Sequence, residues 1–207
     1  MNKYISIFFC VQIIALNLFA MQPKVTPVDY VRPQIDTHKS RWFFFSSASR
    51  PFGMVSLSPD TWTEGSWNSG YLYNSKEIRC FSHVHCWQLA GVPVMPTTGE
   101  VKGHKGMDAY KSTYSHETEI VKPGYHKVEL DTYQIRVELT STSRVGMHRY
   151  TYPAGEKANV LFDVGALLAH GKTEKAAIHR ISSKEIGGYS VLAPTSRRKK
   201  PVTVYFV

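Results

Sequence analysis

The residues best suited to chemistry lie between Phe52 and Gly91: Trp62 and Trp67 among glycines and polar residues, Asn68, then Gly70-Tyr71-Leu72-Tyr73, then Phe81-Ser82-His83-Val84-His85. Aromatic rings in loops are costly to expose unless a ligand or another domain covers them. A pyranose suits such a surface, because its apolar face stacks on indole while its hydroxyl rim needs planar donors and acceptors. Trp67, with Asn68, His83 and His85 as hydrogen-bonding partners, forms a candidate sugar site. The same rings could instead fill the end of a core, and composition alone does not separate the two.

His83 and His85 are spaced to share one face of an extended segment, with His104 downstream. Two histidines without a carboxylate or thiolate at a recognised spacing are a weak zinc signal, so they read as hydrogen-bonding histidines and no metal ligand is assigned. Glycoside hydrolysis needs two carboxyl groups, one acting as acid and one as base or nucleophile. The acids on offer are Asp60, Glu64, Glu77, Glu117, Glu119 and Asp163, and each reads singly as a turn residue or a solvated strand position. No catalytic residue is assigned.

The elements that must position these groups are short strands. Val128 and Leu130 alternate with Lys127 and Glu129, and Ile135, Val137 and Leu139 alternate with Gln134, Arg136 and Glu138, the period of half-buried strands. Asp131-Thr132-Tyr133 is short enough to join them as a hairpin, and Pro123-Gly124 is a turn that opens the first. Further strands are expected at Met54–Leu57, Val92–Met95, Val145–Tyr152, Asn159–Val164, Ala177–Ile181, Tyr189–Ala193 and Val202–Val207. With no helices between them to carry parallel crossovers, the expected fold class is all-β, an antiparallel β-sandwich.

The chain has 207 residues, 43% hydrophobic and 20% charged, enough for one sizeable core and unlike a disordered chain. Residues 1–20, with Lys3, an apolar run and a small residue at Ala20, read as a signal peptide, leaving a 21–207 domain that is secreted or periplasmic. No later stretch is apolar for the width of a bilayer, so no membrane span is expected. The formal charge of +9 falls to +8 once Lys3 is removed, and the only basic run, Arg197-Arg198-Lys199-Lys200, reads as a solvated turn, so no nucleic-acid partner is expected. Cys80 and Cys86 could pair in an oxidising compartment or be two small buried hydrophobes. Strand character from Pro201 to Val207 runs to the last residue, the pattern expected of a fragment of something longer.

A series of motifs carries a family resemblance. Arg50-Pro51-Phe52-Gly53-Met54-Val55-Ser56-Leu57-Ser58-Pro59-Asp60-Thr61, Gly70-Tyr71-Leu72-Tyr73, Ile78 to His85, Tyr114 to Glu119, Pro123 to Val128 and Glu138 to Tyr150 occur in the order found in the amino-terminal domain of glycoside hydrolase family 92. From about Val28 to the last residue the chain resembles that domain. The resemblance implies a supersandwich-like β-sandwich followed by a larger helical domain, and calcium-dependent, inverting, exo-acting hydrolysis of terminal α-mannosides in glycans. It further implies that the amino-terminal domain supplies substrate contacts, with Trp67 the nearest match to a sugar-contacting tryptophan and Phe81 to His85 lining the same region. The general acid, the general base and the calcium ligands are implied to lie in the helical domain, absent from this chain. Cys86-Trp87-Gln88-Leu89-Ala90-Gly91 departs from the shorter small-residue loop of many members, which leaves linkage preference open. Two other readings are a free-standing secreted carbohydrate-binding sandwich and a structural or adhesion sandwich.

Overall fold

The computed structural model describes residues 25–38, 47–61, 70–85, 91–166, 172–196 and 198–207. The expected signal peptide, Trp62, Glu64, Trp67, Asn68 and Cys86 fall outside them. Residues 1–31 and 32–207 form two separate compact units. In the first, the Asp29 carboxylate accepts hydrogen bonds from the N–H and hydroxyl of Thr26 and closes a single 3-10 turn, Pro27–Tyr30.

The second unit is built of antiparallel strands. Its elements are β1 (Ser58–Asp60), β2 (Glu77–Ile78), β3 (Cys80–Ser82), β4 (Val94–Thr98), the one-turn helix α1 (Met107–Tyr110), β5 (Ser112–Thr113), β6 (Ile120–Lys122), β7 (Tyr125–Leu130), β8 (Ile135–Ser141), β9 (Gly146–Thr151), β10 (Ala158–Phe162), β11 (Thr173–Arg180), β12 (Ile186–Leu192) and β13 (Val202–Phe206). They form two four-stranded sheets, β1-β3-β4-β10 and β6-β7-β8-β9, a three-stranded sheet β11-β12-β13 and the pair β2-β5. The all-β fold class is the one the residue pattern predicts. No helix among the described residues is long and apolar enough to cross a membrane.

Alternation explains the register. In β7 and β8 every second residue is buried, and the hairpin pairs Val128 with Val137 and Leu130 with Ile135, apolar against apolar. The turn between them places Gln134 at φ 53°, a left-handed conformation that closes the hairpin. Gly124, at φ 77°, turns the chain from β6 into β7. Leu57, Phe81 and Met95 from the first large sheet and its approach share one core with Val128, Leu130, Ile135, Val137 and Leu139 from the second.

Three strands differ from expectation for identifiable reasons. Residues 54–57 are extended, yet their backbone bonds go to three different segments, at Ser143, His83 and Ala48, so a continuous ladder starts only at Ser58. Val92 stands at φ 54°, which no strand residue adopts, and β4 therefore begins at Val94. Pairing with β12 extends β11 back to Thr173, through polar residues whose composition does not announce a strand. Leu139 is 1% exposed. Leu139→Ala should lower unfolding free energy by about 2–5 kcal/mol in urea denaturation, and a loss under about 1 kcal/mol would show that the shared core is misplaced.

Candidate functional site

The Phe-Ser-His-x-His segment leaves β3 and divides its two histidines between different partners. β1 lies against β3 with Asp60 opposite Cys80 and Ser58 opposite Ser82, which brings the Asp60 carboxylate beside the Ser82 hydroxyl. The Ser82 hydroxyl donates to Asp60 Oδ2 at 2.6 Å, and the Cys80 thiol approaches the same oxygen at 3.4 Å. His85 Nε2 donates to Asp60 Oδ1 at 2.8 Å and lies 3.0 Å from Ser82 Oγ, while His85 Nδ1 donates to the Ser56 carbonyl at 2.5 Å. Both ring nitrogens face acceptors, as only the doubly protonated imidazolium satisfies. Burial opposes that charge, but the Asp60 carboxylate and the Ser56 carbonyl outweigh it and raise the His85 pKa. Cys80 is a free thiol whose pKa is pushed up by burial and by Asp60, which makes it inert rather than nucleophilic.

Gly70, where the chain emerges from the segment carrying Trp67 and Asn68, packs on the His85 ring. A Cβ there would stand 3.6 Å from His85 Cδ2. His85 thus packs against Gly70 with both ring nitrogens already engaged.

His83 turns to β9 instead. Its Nε2 lies 2.9 Å from Nε2 of His148, its Nδ1 donates to the Val92 carbonyl at 3.2 Å, and the Tyr150 hydroxyl lies 2.8 Å from His148 Nδ1. One proton arrangement satisfies the whole chain: Tyr150 O–H donates to His148 Nδ1, His148 Nε2–H donates to His83 Nε2, and His83 Nδ1–H donates to Val92. Both rings are neutral in it. Burial lowers the pKa of each, and the neighbouring imidazole adds to the effect at His148, which drops to about 3. Two glycines make room: a Cβ on Gly146 would stand 2.5 Å from His83 Cδ2, and one on Gly91 would collide with the Val84 backbone. Val92 is a β-branched residue in left-handed conformation, strain of about 1–3 kcal/mol spent on aiming its carbonyl at His83.

A second buried polar node gathers on Glu119. Its Oε1 accepts from His126 Nε2 at 2.8 Å, and its Oε2 accepts from His116 Nδ1 at 2.6 Å, Tyr71 Oη at 2.9 Å and Gln34 Nε2 at 3.2 Å. Burial would raise the Glu119 pKa, yet its histidine and tyrosine donors prevail and lower it.

These contacts account for most of the acids that the sequence offered for catalysis. Asp60 and Glu119 are held as described, Glu77 pairs with Lys111 at 2.9 Å, Asp163 accepts from Tyr110 Oη at 2.7 Å, and Glu117 lies exposed on a turn. His104 sits exposed in a 3-10 turn, Gly103–Lys105. Among the described residues no group of three or more His, Cys, Asp or Glu is placed to hold a metal ion. With both buried carboxylates engaged by N–H and O–H donors, the described residues do not form the oxygen cage that calcium requires. Sequence reasoning passed over Asp60 as the partner of His85 and His148 as the partner of His83. Both pairings join segments far apart in sequence: β1 brings Asp60 to the end of β3 near His85, and β9 brings His148 to His83.

Residues 30–207 match the glycosyl hydrolase family 92 N-terminal domain. The chain belongs to that family. The family GH92 alpha-mannosidase BT3965 from Bacteroides thetaiotaomicron superposes with a TM-score of 0.78 at 31% identity, over 89% of this chain and 26% of that one. Its complex with mannoimidazole gives 0.75 at 32% identity, over 86% and 24%. The GH92 inverting mannosidase BT2199 from the same organism gives 0.66 at 23% identity, over 82% and 23%, a likeness of fold. No curated protein matches the chain. This family 92 chain spans about a quarter of the length of these solved relatives.

Two histidines of this family 92 chain, His85 and His148, give opposite pH signatures. The raised pKa of His85 contributes stability that is fully present below its unfolded value of about 6.5 and is lost as pH rises through the folded value. His148, depressed to about 3, makes the fold lose stability as pH falls from about 6.5 toward 3. Melting temperature followed against pH should lose most of its decline just above neutrality in His85→Gln, and in His148→Gln its acid decline should shrink to the part due to His83, Glu119 and Glu138. Unchanged profiles in both variants would contradict these assignments.

Proposed function

We propose that this chain is the substrate-recognising amino-terminal part of a secreted, exo-acting α-mannosidase that removes terminal α-mannose from glycans with inversion. The observation that carries the reading is the family match across residues 30–207 together with about 30% identity to an alpha-mannosidase over most of this chain. Trp67 would stack on the apolar face of the terminal mannose, and Asn68 would bond its hydroxyl rim. Gly70, which follows that segment, packs on the His85 ring that Asp60 and Ser56 hold in place. A sugar-contacting ring must be held within the small tolerance that transition-state binding requires, and a fixed exit from its segment would favour that.

The chemistry itself belongs, in this reading, to a helical domain beyond this chain. Inversion requires one carboxyl group to protonate the departing oxygen and a second to activate water on the opposite face of the ring. Here Asp60 and Glu119 accept hydrogen bonds from histidines and hydroxyls, which supports a positioning role for them. Calcium is assigned to the same helical domain, because the described residues do not fit it.

An intact version carrying the helical domain should release mannose of inverted anomeric configuration from an α-mannoside, followed by proton NMR, while this chain alone releases none. Trp67→Ala in the intact enzyme should lower kcat/KM roughly fivefold, about 1 kcal/mol of stacking. Turnover by this chain alone would overturn the division of labour, and an unchanged kcat/KM would move the stacking role to another ring.

A further inference from the structure

The His83–His148 pair brings two metal-ligating nitrogens together. The two Nε2 atoms face each other at 2.9 Å, and the ring planes meet at 44° with centroids 4.8 Å apart. The centroids stand closer than two rings meeting fully in line would put them, so the contact is bent. Two imidazole nitrogens bound at roughly 2.0 Å in adjacent corners of a square would stand about 2.8–2.9 Å apart, whereas a tetrahedral ion would spread them to about 3.3 Å. The observed separation fits the square-planar or tetragonal geometry of copper(II) and nickel(II). The order of divalent affinities then puts copper first.

The remaining ring nitrogens supply the second half of the argument. A histidine that binds a metal through Nε2 characteristically anchors its Nδ1–H on an oxygen, which fixes the tautomer and the ring orientation. His83 has that anchor in the Val92 carbonyl, held by backbone strain, and Gly146 leaves the space its ring occupies. For His148 the anchor is the Tyr150 hydroxyl, 2.8 Å from Nδ1. Freeing the His148 Nε2 lone pair needs only a tautomer change: the proton passes from Nε2 to Nδ1 and the Tyr150 hydroxyl turns from donor to acceptor. No net charge moves. Burial pushes the Tyr150 pKa up, so it stays a phenol throughout.

We propose that His83 and His148 form a two-imidazole binding site for a divalent transition metal, copper(II) before nickel(II), with water completing the coordination. The proposal stands whether or not the glycan reading holds.

Titration of the chain with copper sulfate, followed by electron paramagnetic resonance and calorimetry, tests it. The expected result is a tetragonal copper signal with two-nitrogen coupling at one equivalent, lost together with at least tenfold in affinity in His83→Gln and in His148→Gln. Tyr150→Phe keeps the ring packing but removes the anchoring oxygen, so it should weaken binding roughly tenfold. If either glutamine variant fails to fold by circular dichroism, Tyr150→Phe decides. Copper bound with equal affinity and stoichiometry in wild type and variants, or a wild-type signal without two-nitrogen coupling, overturns the proposal.

Discussion

The buried ion pair of Asp60 with His85 is the constraint on which the described site depends. Removing two charges from water costs several kcal/mol for each, and the cost is recovered only when every remaining proton and lone pair is satisfied. Asp60 meets that condition by accepting from His85, Ser82 and Cys80 at once, and His85 meets it by spending its second nitrogen on Ser56. Four short segments, residues 56, 60, 80–82 and 85, are thereby fixed to one another, although β1 and β3 have only three residues each. Strands that short hold little by ladder hydrogen bonding alone. The polar node does for one face of β3 what Phe81 does for the other.

Two other histidine groups follow a different logic. Glu119 resembles Asp60 in gathering its donors around one carboxylate, and it links Gln34, Tyr71, His116 and His126 across the unit. His83 and His148 form a neutral chain that ends on the strained Val92 carbonyl. Charged and neutral histidines two residues apart arise from what each ring meets: a carboxylate for His85, another imidazole for His83. Such contrast within one segment is typical of sites where side-chain orientation matters more than bulk stability.

Much of the architecture was legible in the residues because it depends on local periodicity. The alternation through Val128, Leu130, Ile135, Val137 and Leu139 defines both strands and their pairing, and Gly124 marks the turn. The motif series from Arg50 to Tyr150 pointed to family 92, to which the chain does belong. What sequence could not supply was the set of contacts between distant segments. Asp60 reads as one acid among several until β1 is laid beside β3, and His148 reads as a strand residue until β9 brings it to His83. The spacing of His83 and His85 suggested a shared face, but the chain leaves strand geometry after Ser82, so the period of two no longer applies. Trp67 and Asn68 lie outside the described residues; the role of Trp67 rests on the family resemblance and that of Asn68 on the hydrogen-bonding capacity of its amide.

The most direct test of this account is the protonation state of the His85 ring, measured by nitrogen-15 NMR of the imidazole as pH is raised from 5 to 9. The account predicts that both ring nitrogens keep their protons above the ordinary histidine value of about 6.5 and that the Asp60→Asn variant loses this protection. A His85 ring that deprotonates at or below that value, with Asp60 intact, would contradict it.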